Sequence, residues 1–270
     1  MLLGGSALVF FFGDSIWDKM GGNSDYLPPF FQDKWGSGDD PESFSEWKNK
    51  GKGLELEIQN ALTNDWFDYF EEAYDDWNQS PSLSLSKKMA YKPDPNCDPI
   101  RGIMTVCNND YGKTEWTGLN EVYYENGVIV SSVAKMNEYY LSGAGNSERQ
   151  YVMCHEIGHG FGLPHRDTSV NNRDLGTCLD YTNTYKNNMH PDEVDFENLE
   201  NLYGLSRRRM HLKTPSKIDE DPLKTESSIL LRRVLSYKKG RLLQTSEYGE
   251  IWEHHTEDNV VVVTKLLLAR

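Results

Sequence analysis

The stretch from residue 155 to residue 165, HEIGHGFGLPH, contains three histidines and one glutamate. On a helix, His155 and His159 project from one face about a turn apart, which is the separation that two ligands of one zinc ion require. Glu156 lies about 100° further round the helix axis, so it is poorly placed as a ligand but can reach a water molecule held by the metal. The spacing therefore predicts two zinc ligands with a carboxylate beside them.

The third ligand must come from outside this helix, and His165 is the candidate. Gly162 can end the helix in a left-handed conformation, and Pro164 restricts the backbone that leads to His165. Three histidines leave one position of a tetrahedral zinc ion open, which is typical of catalytic sites, whereas structural sites have four protein ligands. We therefore expect one catalytic Zn²⁺ ion, and no pattern in the sequence indicates a structural Ca²⁺ ion.

The same stretch carries glycine at positions 158, 160 and 162. Together these glycines cost a helix about 2–3 kcal/mol in intrinsic propensity. The segment is therefore poor as a scaffold alone, and we expect metal ligation and close packing to offset the cost.

Residues 155 to 165 as a whole resemble HExxHxxGxxH, the zinc signature of the metzincin clan of metallopeptidases. The resemblance extends over roughly residues 50 to 204, and the ending Leu202-Tyr203-Gly204 is similar to the close of the matrixin catalytic domain. It implies an α+β fold with a twisted, mostly parallel sheet, an active-site helix and a C-terminal subdomain helix. It also implies a zinc-dependent endopeptidase that acts on protein or peptide substrates.

Metzincins carry a methionine in a tight turn beneath the zinc ion, followed by a C-terminal helix. In NNMHPDEVDFENLENLYG, residues 187 to 204, Met189 is the candidate for that turn and Pro191 marks the start of the helix. The alternative for Met189 is an ordinary core methionine, because the turn has little sequence of its own. The helix is expected to face the core with Val194, Leu199, Leu202 and Tyr203.

The expected chemistry follows from these residues. Zinc lowers the pKa of its water towards about 7 and polarises the scissile carbonyl, and Glu156 takes a proton from that water and passes it to the leaving amine. The alternative function is a catalytically silent, metal-containing binding or adhesion module of the extracellular space. Asp167 and Asp180 are candidates for orienting the ligands, and either is equally suited to capping a loop.

Outside the zinc signature, the sequence lacks features that some metzincins have. No tyrosine stands two residues after Met189, so the additional tyrosine ligand of astacin-like members is not supported, and no cysteine-switch motif of the matrixin type precedes the domain. Residues 11 to 14, FFGD, match the short FxGD pattern of the astacin aspartate switch, but a chance match at the end of an apolar run is the alternative.

Hydrophobic patterns predict the elements that hold this site. Residues 53–59 alternate as in a half-buried strand, and an aromatic stripe from Trp66 to Trp77 marks the core face of a helix. Asn126-Gly127 predicts the turn of a hairpin. Further strands are expected at 82–91, 100–107, 120–124 and 127–136, and a second hairpin at 251–255 and 260–268.

The four cysteines permit two disulfides in three connectivities. Cys154 lies about 100° from His155 on the side away from His159, so it is not a convincing zinc ligand. A Cys154–Cys178 bond would tie the zinc helix to the segment that follows it, and Cys97–Cys107 would then close a short loop. This pairing is favoured, although sequence alone does not choose among the three.

Charge divides the chain near residue 204. Through Gly204 there are 15 Lys and Arg residues against 33 Asp and Glu residues, a net charge of −18, while the remainder carries +4 of the total of −14. The acidic body argues against nucleic-acid binding. We divide the chain into an N-terminal apolar segment and extension (1–50), a catalytic domain (51–204), and a basic linker with a tail or small β unit (205–270).

Two terminal features bear on location. The apolar run 2–13 has the length of a signal-peptide core or of the remnant of an anchor, with an ordinary buried segment as the alternative. Together with an even cysteine count, it predicts a secreted or cell-surface protein that contacts a membrane only through such an anchor. The basic run 207–209 is interpreted as a solvated linker or cleavage-prone tail, and nothing in the sequence sets the oligomeric state.

Overall fold

The computed structural model describes residues 45–49, 52–167, 173–204, 240–256, 258 and 260–269. The apolar run 2–13, the FxGD pattern at 11–14 and the basic run 207–209 lie outside these residues, so the predictions made for them stay predictions.

Along the chain, one strand and one helix are followed by four strands, then three helices, then three C-terminal strands. The elements are β1 (Leu54–Asn60), α1 (Phe67–Trp77), β2 (Leu83–Met89), β3 (Ile103–Asn109), β4 (Trp116–Glu125), β5 (Val128–Asn137), α2 (Glu138–Leu141), α3 (Asn146–Gly160), α4 (Glu193–Tyr203), β6 (Arg241–Thr245), β7 (Gly249–His255) and β8 (Val261–Leu268). Short 3-10 turns precede α1 at Asn64–Trp66 and lie at Tyr185–Asn187.

The strands form one sheet in the order β2-β1-β3-β5-β4-β8-β7-β6. Strands β2, β1, β3 and β5 run parallel to their neighbours, and β4 is antiparallel to β5. Helix α3 packs against β4 and β5, and α1 packs against α3. The predicted α+β fold with a mostly parallel sheet is therefore confirmed for the part of the chain before residue 205.

The C-terminal strands continue this same sheet. Strand β8 is antiparallel to β4 from the pair Trp116–Leu268 to the pair Tyr124–Val261, and β7 pairs with β8 as a hairpin. The hairpin matches the prediction from residues 251–268. Its attachment to the edge of β4 depends on pairing between distant parts of the chain, which the local pattern does not reveal.

The turn between β4 and β5 shows how the sequence sets register. Asn126 and Gly127 both have positive φ, 52° and 76°. Two consecutive residues with positive φ give the twist that joins antiparallel strands in a two-residue turn, and Asn-Gly adopts it at the lowest cost. The predicted turn is therefore present, and it pairs Glu125 with Val128. A bulge between Tyr123 and Tyr124 then shifts the register by one residue, so that Asn120 lies opposite Ala134.

Two glycines of α3 are required by close packing. A Cβ atom on Gly158 would lie 2.7 Å from Trp77 Cζ2, and one on Gly160 would lie 2.6 Å from Met104 Cε. Both distances are too short for a real contact, so glycine lets α3 approach α1 on one side and β3 on the other. The helix propensity lost at these positions is offset by this packing.

The aromatic stripe of α1 forms the other half of that contact. Phe70 and Trp77 are fully buried, and the Trp77 indole N–H donates to the Cys154 carbonyl at 3.2 Å. Trp77 also packs edge-on against Phe161, with ring centroids 5.5 Å apart. This stripe holds α3 in place rather than taking part in a site.

The prediction that α4 faces the core is confirmed for Leu199, Leu202 and Tyr203, which are buried. It is wrong for Val194, which is 41% exposed. The reason lies at the start of the helix, where Asp195 is fully buried and accepts hydrogen bonds from Arg166 and from the Asp192 amide. Val194 precedes Asp195 by about 100° of helix rotation, so the buried carboxylate turns Val194 towards solvent.

Among the described residues, no helix has both the length and the apolar character that a bilayer crossing requires.

Candidate functional site

The end of α3 turns sharply so that the chain returns towards the helix. Gly162 has φ +88°, and a Cβ atom there would lie 1.9 Å from the Ser45 carbonyl oxygen. Any other residue would meet both backbone strain and a clash. Side chains from distant parts of the chain donate hydrogen bonds to the last carbonyls of the helix. The Trp47 indole N–H donates to the Gly160 carbonyl at 2.8 Å, and the Tyr203 hydroxyl donates to the Phe161 carbonyl at 2.6 Å.

This turn brings the third histidine to the other two. His159 Nε2 lies 3.1 Å from His155 Nε2 and 3.0 Å from His165 Nε2. A tetrahedral zinc ion with Zn–N bonds of about 2.05 Å would separate its nitrogen ligands by about 3.3 Å. Among the described residues, these three form the one group of His, Cys, Asp and Glu side chains close enough to share a metal ion.

The hydrogen bonds of two histidines settle which ring nitrogen carries the proton. His155 Nδ1 lies 2.6 Å from the Cys178 carbonyl, and His159 Nδ1 lies 2.9 Å from the Leu163 carbonyl. A carbonyl only accepts, so each Nδ1 must donate, and each neutral ring then presents an unprotonated Nε2.

Burial favours the neutral form of the His159 ring. Desolvation is the largest cause that holds the pKa of His159 well below its ordinary value, and Lys265 and the other two histidines add to it. With Nδ1 donating to Leu163, the neutral His159 ring directs its Nε2 lone pair towards the other two Nε2 atoms, 3.1 and 3.0 Å away. Imidazole nitrogens that converge in this way are typical zinc ligands, so the donor set fits a zinc ion.

Glu156, the residue after His155 on α3, is fully buried. Its carboxylate packs over Gly118 of β4, where a Cβ atom would come within 2.2 Å of Glu156 Oε1. Neither carboxylate oxygen has a hydrogen-bond partner among the described residues. Burial raises the pKa of Glu156 well above its ordinary value, and the charge of Lys265 acts in the opposite direction. A carboxyl with a raised pKa is suited to proton transfer near neutral pH.

A disulfide holds the loop that follows His165 against α3. The structure joins Cys154 to Cys178 and Cys97 to Cys107, with Cα–Cα distances of 5.9 Å in both cases, which is the pairing that the sequence favours. The first bond fixes the Cys178 carbonyl against His155.

Tyr181 is a site residue that the sequence analysis missed. Its ring centroid lies 4.2 Å from that of His165, and the side chain is 2% exposed. The only sequence signal was its place in the segment CLDYT, immediately after the disulfide cysteine. The stacking keeps the His165 ring from turning away from the other two.

Lys265 is a second missed residue, and it comes from the C-terminal strand β8. Its Nζ donates to the Leu163 carbonyl at 3.2 Å, and the same carbonyl accepts from His159 Nδ1. Lys265 is 5% exposed. A lysine inside an otherwise apolar strand was the available signal, but only the tertiary fold shows where it lies.

Asn120 of β4 also supports the zinc helix and was not foreseen. Its side-chain amide donates to the Glu156 carbonyl at 2.8 Å and lies 3.3 Å from Ser132 Oγ. Through these contacts α3 is hydrogen-bonded to the sheet at Glu156, the candidate base.

The assignment of Met189 to a methionine turn stays a prediction. Met189 is partly exposed, and the contacts to the histidine rings described above come from Leu163, Cys178 and Tyr181. The proposal that Asp167 and Asp180 orient ligands also stays a prediction, since backbone carbonyls hold His155 and His159. Asp180 supports the loop, because it accepts from the Leu175 amide at 3.0 Å and its carbonyl accepts from Tyr151 at 2.8 Å.

The pH dependence of stability tests the burial of the Asp180 side chain. Burial raises its pKa from 3.8 to about 6, with Asp167 and Asp174 acting in the same direction and the Leu175 amide opposing them. The native state therefore keeps a proton that the unfolded state has lost, so this group lowers stability as the pH rises from about 4 to about 6. In the metal-free protein, Asp180→Asn is expected to raise the free energy of unfolding by about 1–3 kcal/mol at pH 7, and by much less at pH 4.

Urea denaturation at the two pH values measures both differences. An equal gain at pH 4 and pH 7 would show that ionisation of Asp180 is not the cause.

Fold and site together define an α+β protein in which two histidines of α3 and a third from the turn after it converge closely enough to share a metal ion. Neither the family models nor the curated proteins gave a match. Among solved structures, the chain is similar to archaemetzincin from Archaeoglobus fulgidus, a complex with malonate, with 17% identity and a TM-score of 0.33 over 53% of this chain and 99% of that one.

The chain is also similar to high choriolytic enzyme 1, a hatching enzyme zinc-protease from the medaka fish Oryzias latipes. Here the identity is 13% and the TM-score 0.32, over 58% of this chain and 94% of that one.

Proposed function

We propose that this chain is a zinc-dependent endopeptidase in which His155, His159 and His165 hold one zinc ion. The observation that carries the proposal is the convergence of three buried histidine nitrogens, 3.0 and 3.1 Å apart, beside a buried carboxyl group. That carboxyl, from Glu156, has no hydrogen-bond partner among the described residues. Three nitrogen ligands leave the metal an open position, which is typical of catalytic zinc.

Each residue has its own task in this proposal. The carbonyls of Cys178 and Leu163 hold the histidine rings so that Nε2 faces the metal. A bound zinc ion supplies the positive charge that acidifies the attacking water and polarises the scissile carbonyl. Glu156 accepts a proton from that water and passes it to the nitrogen of the leaving amine.

The second candidate is a catalytically silent metal-binding module. Such a module needs only the ligands and has no use for a carboxyl at position 156. Burying Glu156 without a partner lowers the stability of the fold, and a purely structural site gains nothing in return. The peptidase is therefore the function that these residues support best.

Export is part of the proposal. The two disulfides persist only where thiols are not kept reduced, which favours a secreted or cell-surface location. The proposed substrates are protein or peptide chains.

Cleavage of a denatured protein tests the zinc mechanism. The zinc-loaded chain is expected to hydrolyse it, to lose that activity when a chelator removes the metal, and to regain it when zinc is added back. Equilibrium dialysis measures the bound zinc in the same samples. Hydrolysis that persists after complete removal of the metal would contradict the proposal.

A further inference from the structure

The proposed site is closed to a peptide although its chemistry requires one to enter. The exposed fractions are 1% for His155, 1% for His159, 8% for His165 and 0% for Glu156. A peptide bond cannot reach these residues in this arrangement, so some part of the chain must first move.

Residues of the C-terminal segment 240–269 contact the groups that hold the histidine rings. Lys265 donates to the Leu163 carbonyl, which also holds His159. The Tyr181 hydroxyl packs onto Gly249 so closely that a Cβ atom there would lie 1.9 Å away. Tyr248 lies against Tyr181, with ring centroids 6.1 Å apart.

A small recess borders the tyrosines that pack on His155 and His165. Its walls include Tyr151 of α3, Tyr181 from the loop after His165 and Thr117 of β4. Tyr248 and Leu267, from the C-terminal segment 240–269, complete it. Without that segment the recess would lose part of its wall.

Strand β8 also occupies a position that suits an extended peptide. It forms antiparallel pairs along the whole of β4, and Gly118, which lies under the Glu156 carboxylate, pairs with Leu267. Extended peptides commonly bind by adding a strand to an exposed sheet edge. The edge of β4 nearest to Glu156 is therefore filled by the protein's own chain.

We infer that residues 240–269 form a built-in cover, and that substrate reaches the metal centre only when β8 leaves the edge of β4. The inference rests on the proposed peptidase function and adds its regulation. The cover is joined to α4 through the 35 residues from 205 to 239, so its pairing with β4 is intramolecular. A tether of that kind gives an effective concentration of about millimolar, which keeps the cover in place until the tether is cut or the strand is displaced.

A matched pair of substitutions tests the cover in the full chain. Leu266 is 1% exposed and packs with Trp116 and Leu119 on the face of β8 away from the histidines. Leu242 of β6 is 43% exposed. Leu266→Asp is expected to loosen β8 without touching the site and to raise the peptide cleavage rate at least about tenfold, whereas Leu242→Asp leaves the rate unchanged.

The second measurement is independent of catalysis. Loss of zinc to an excess of chelator is expected to be at least about tenfold faster in Leu266→Asp than in Leu242→Asp, because a loosened cover admits the chelator. Circular dichroism checks that both variants remain folded.

If Leu266→Asp does not fold, cutting the chain between α4 and β6 tests the same inference. A recognition sequence for a specific protease is inserted between residues 205 and 239, and the folded, zinc-loaded protein is then cut. The cleavage rate per molecule and the zinc loss rate should rise on dilution of the cut chain, because pairing of β8 has become bimolecular, and stay constant for the uncut chain.

The outcomes separate the two proposals. Equal zinc loss rates in the cut and uncut chains at every dilution would overturn the cover. A fall in peptide cleavage on opening, with zinc retained, would also overturn it, because the strands would then belong to the active fold. Faster zinc loss on opening with no hydrolysis by any form would support the cover and overturn the peptidase function.

Discussion

Glu156→Gln is expected to abolish peptide hydrolysis while leaving zinc bound. The amide keeps the shape of the side chain but cannot accept the proton of the attacking water, so we expect a loss of at least 100-fold and up to about 10⁴-fold in rate. The three ligands are unchanged, and zinc affinity should stay within a few fold. Initial rates on a peptide substrate and equilibrium dialysis of zinc measure the two effects.

The same substitution is expected to preserve or raise stability. Glu156 is fully buried without a hydrogen-bond partner among the described residues, and burial raises its pKa well above the ordinary value. Replacing a carboxyl that is costly to ionise by a neutral amide removes part of that cost, which is the pattern of a residue kept for function.

Glu121→Gln is the matched control. Glu121 is 4% exposed, but it points to the other face of β4, where it accepts from Lys135 at 2.8 Å. Its replacement should lower stability and leave hydrolysis unchanged. Wild-type hydrolysis by Glu156→Gln would refute the assigned proton transfer.

His159→Ala is expected to weaken zinc binding on the order of 100- to 1000-fold. His159 Nε2 lies 3.1 Å from His155 Nε2 and 3.0 Å from His165 Nε2, so its removal would leave two of the three proposed ligands. If three ligands share an apparent binding free energy of about 10 kcal/mol, one of them contributes roughly 3–4 kcal/mol. Competition with a chromophoric chelator at fixed pH measures the affinity.

His190→Ala controls for the loss of any histidine. The His190 side chain is 46% exposed and pairs with Asp76 at 2.6 Å, outside the three-histidine group. Its zinc affinity and hydrolysis should match those of the unchanged protein. A similar zinc affinity for both variants would mean that the metal binds elsewhere.

Much of the site could be read from the sequence because its geometry is local. The four-residue spacing of His155 and His159 fixes a common helix face, and the left-handed turn at Gly162 follows from the one residue type that adopts it freely. The β4–β5 hairpin belongs to the same class of prediction, since Asn126-Gly127 specifies its turn without help from the rest of the fold.

Other features were missed or misjudged because they depend on partners far along the chain. Val194 has the right helical spacing to face inward, but the buried ion pair between Asp195 and Arg166 turns it outward. Tyr181 and Lys265 contact the site only because a disulfide and a strand pairing bring them there. No local pattern specifies which distant segment completes a sheet edge.

The sequence by itself therefore determined the candidate metal ligands, the candidate base and the turn that joins them, because bond geometry and glycine's conformational range act within a dozen residues. Only the tertiary structure decided that the three histidine nitrogens lie about 3 Å apart, that Glu156 is buried beside Gly118, and that β8 pairs with the edge of β4. These features depend on which apolar surfaces of distant segments pack together and exclude water, and that packing is determined by the sequence of the whole chain.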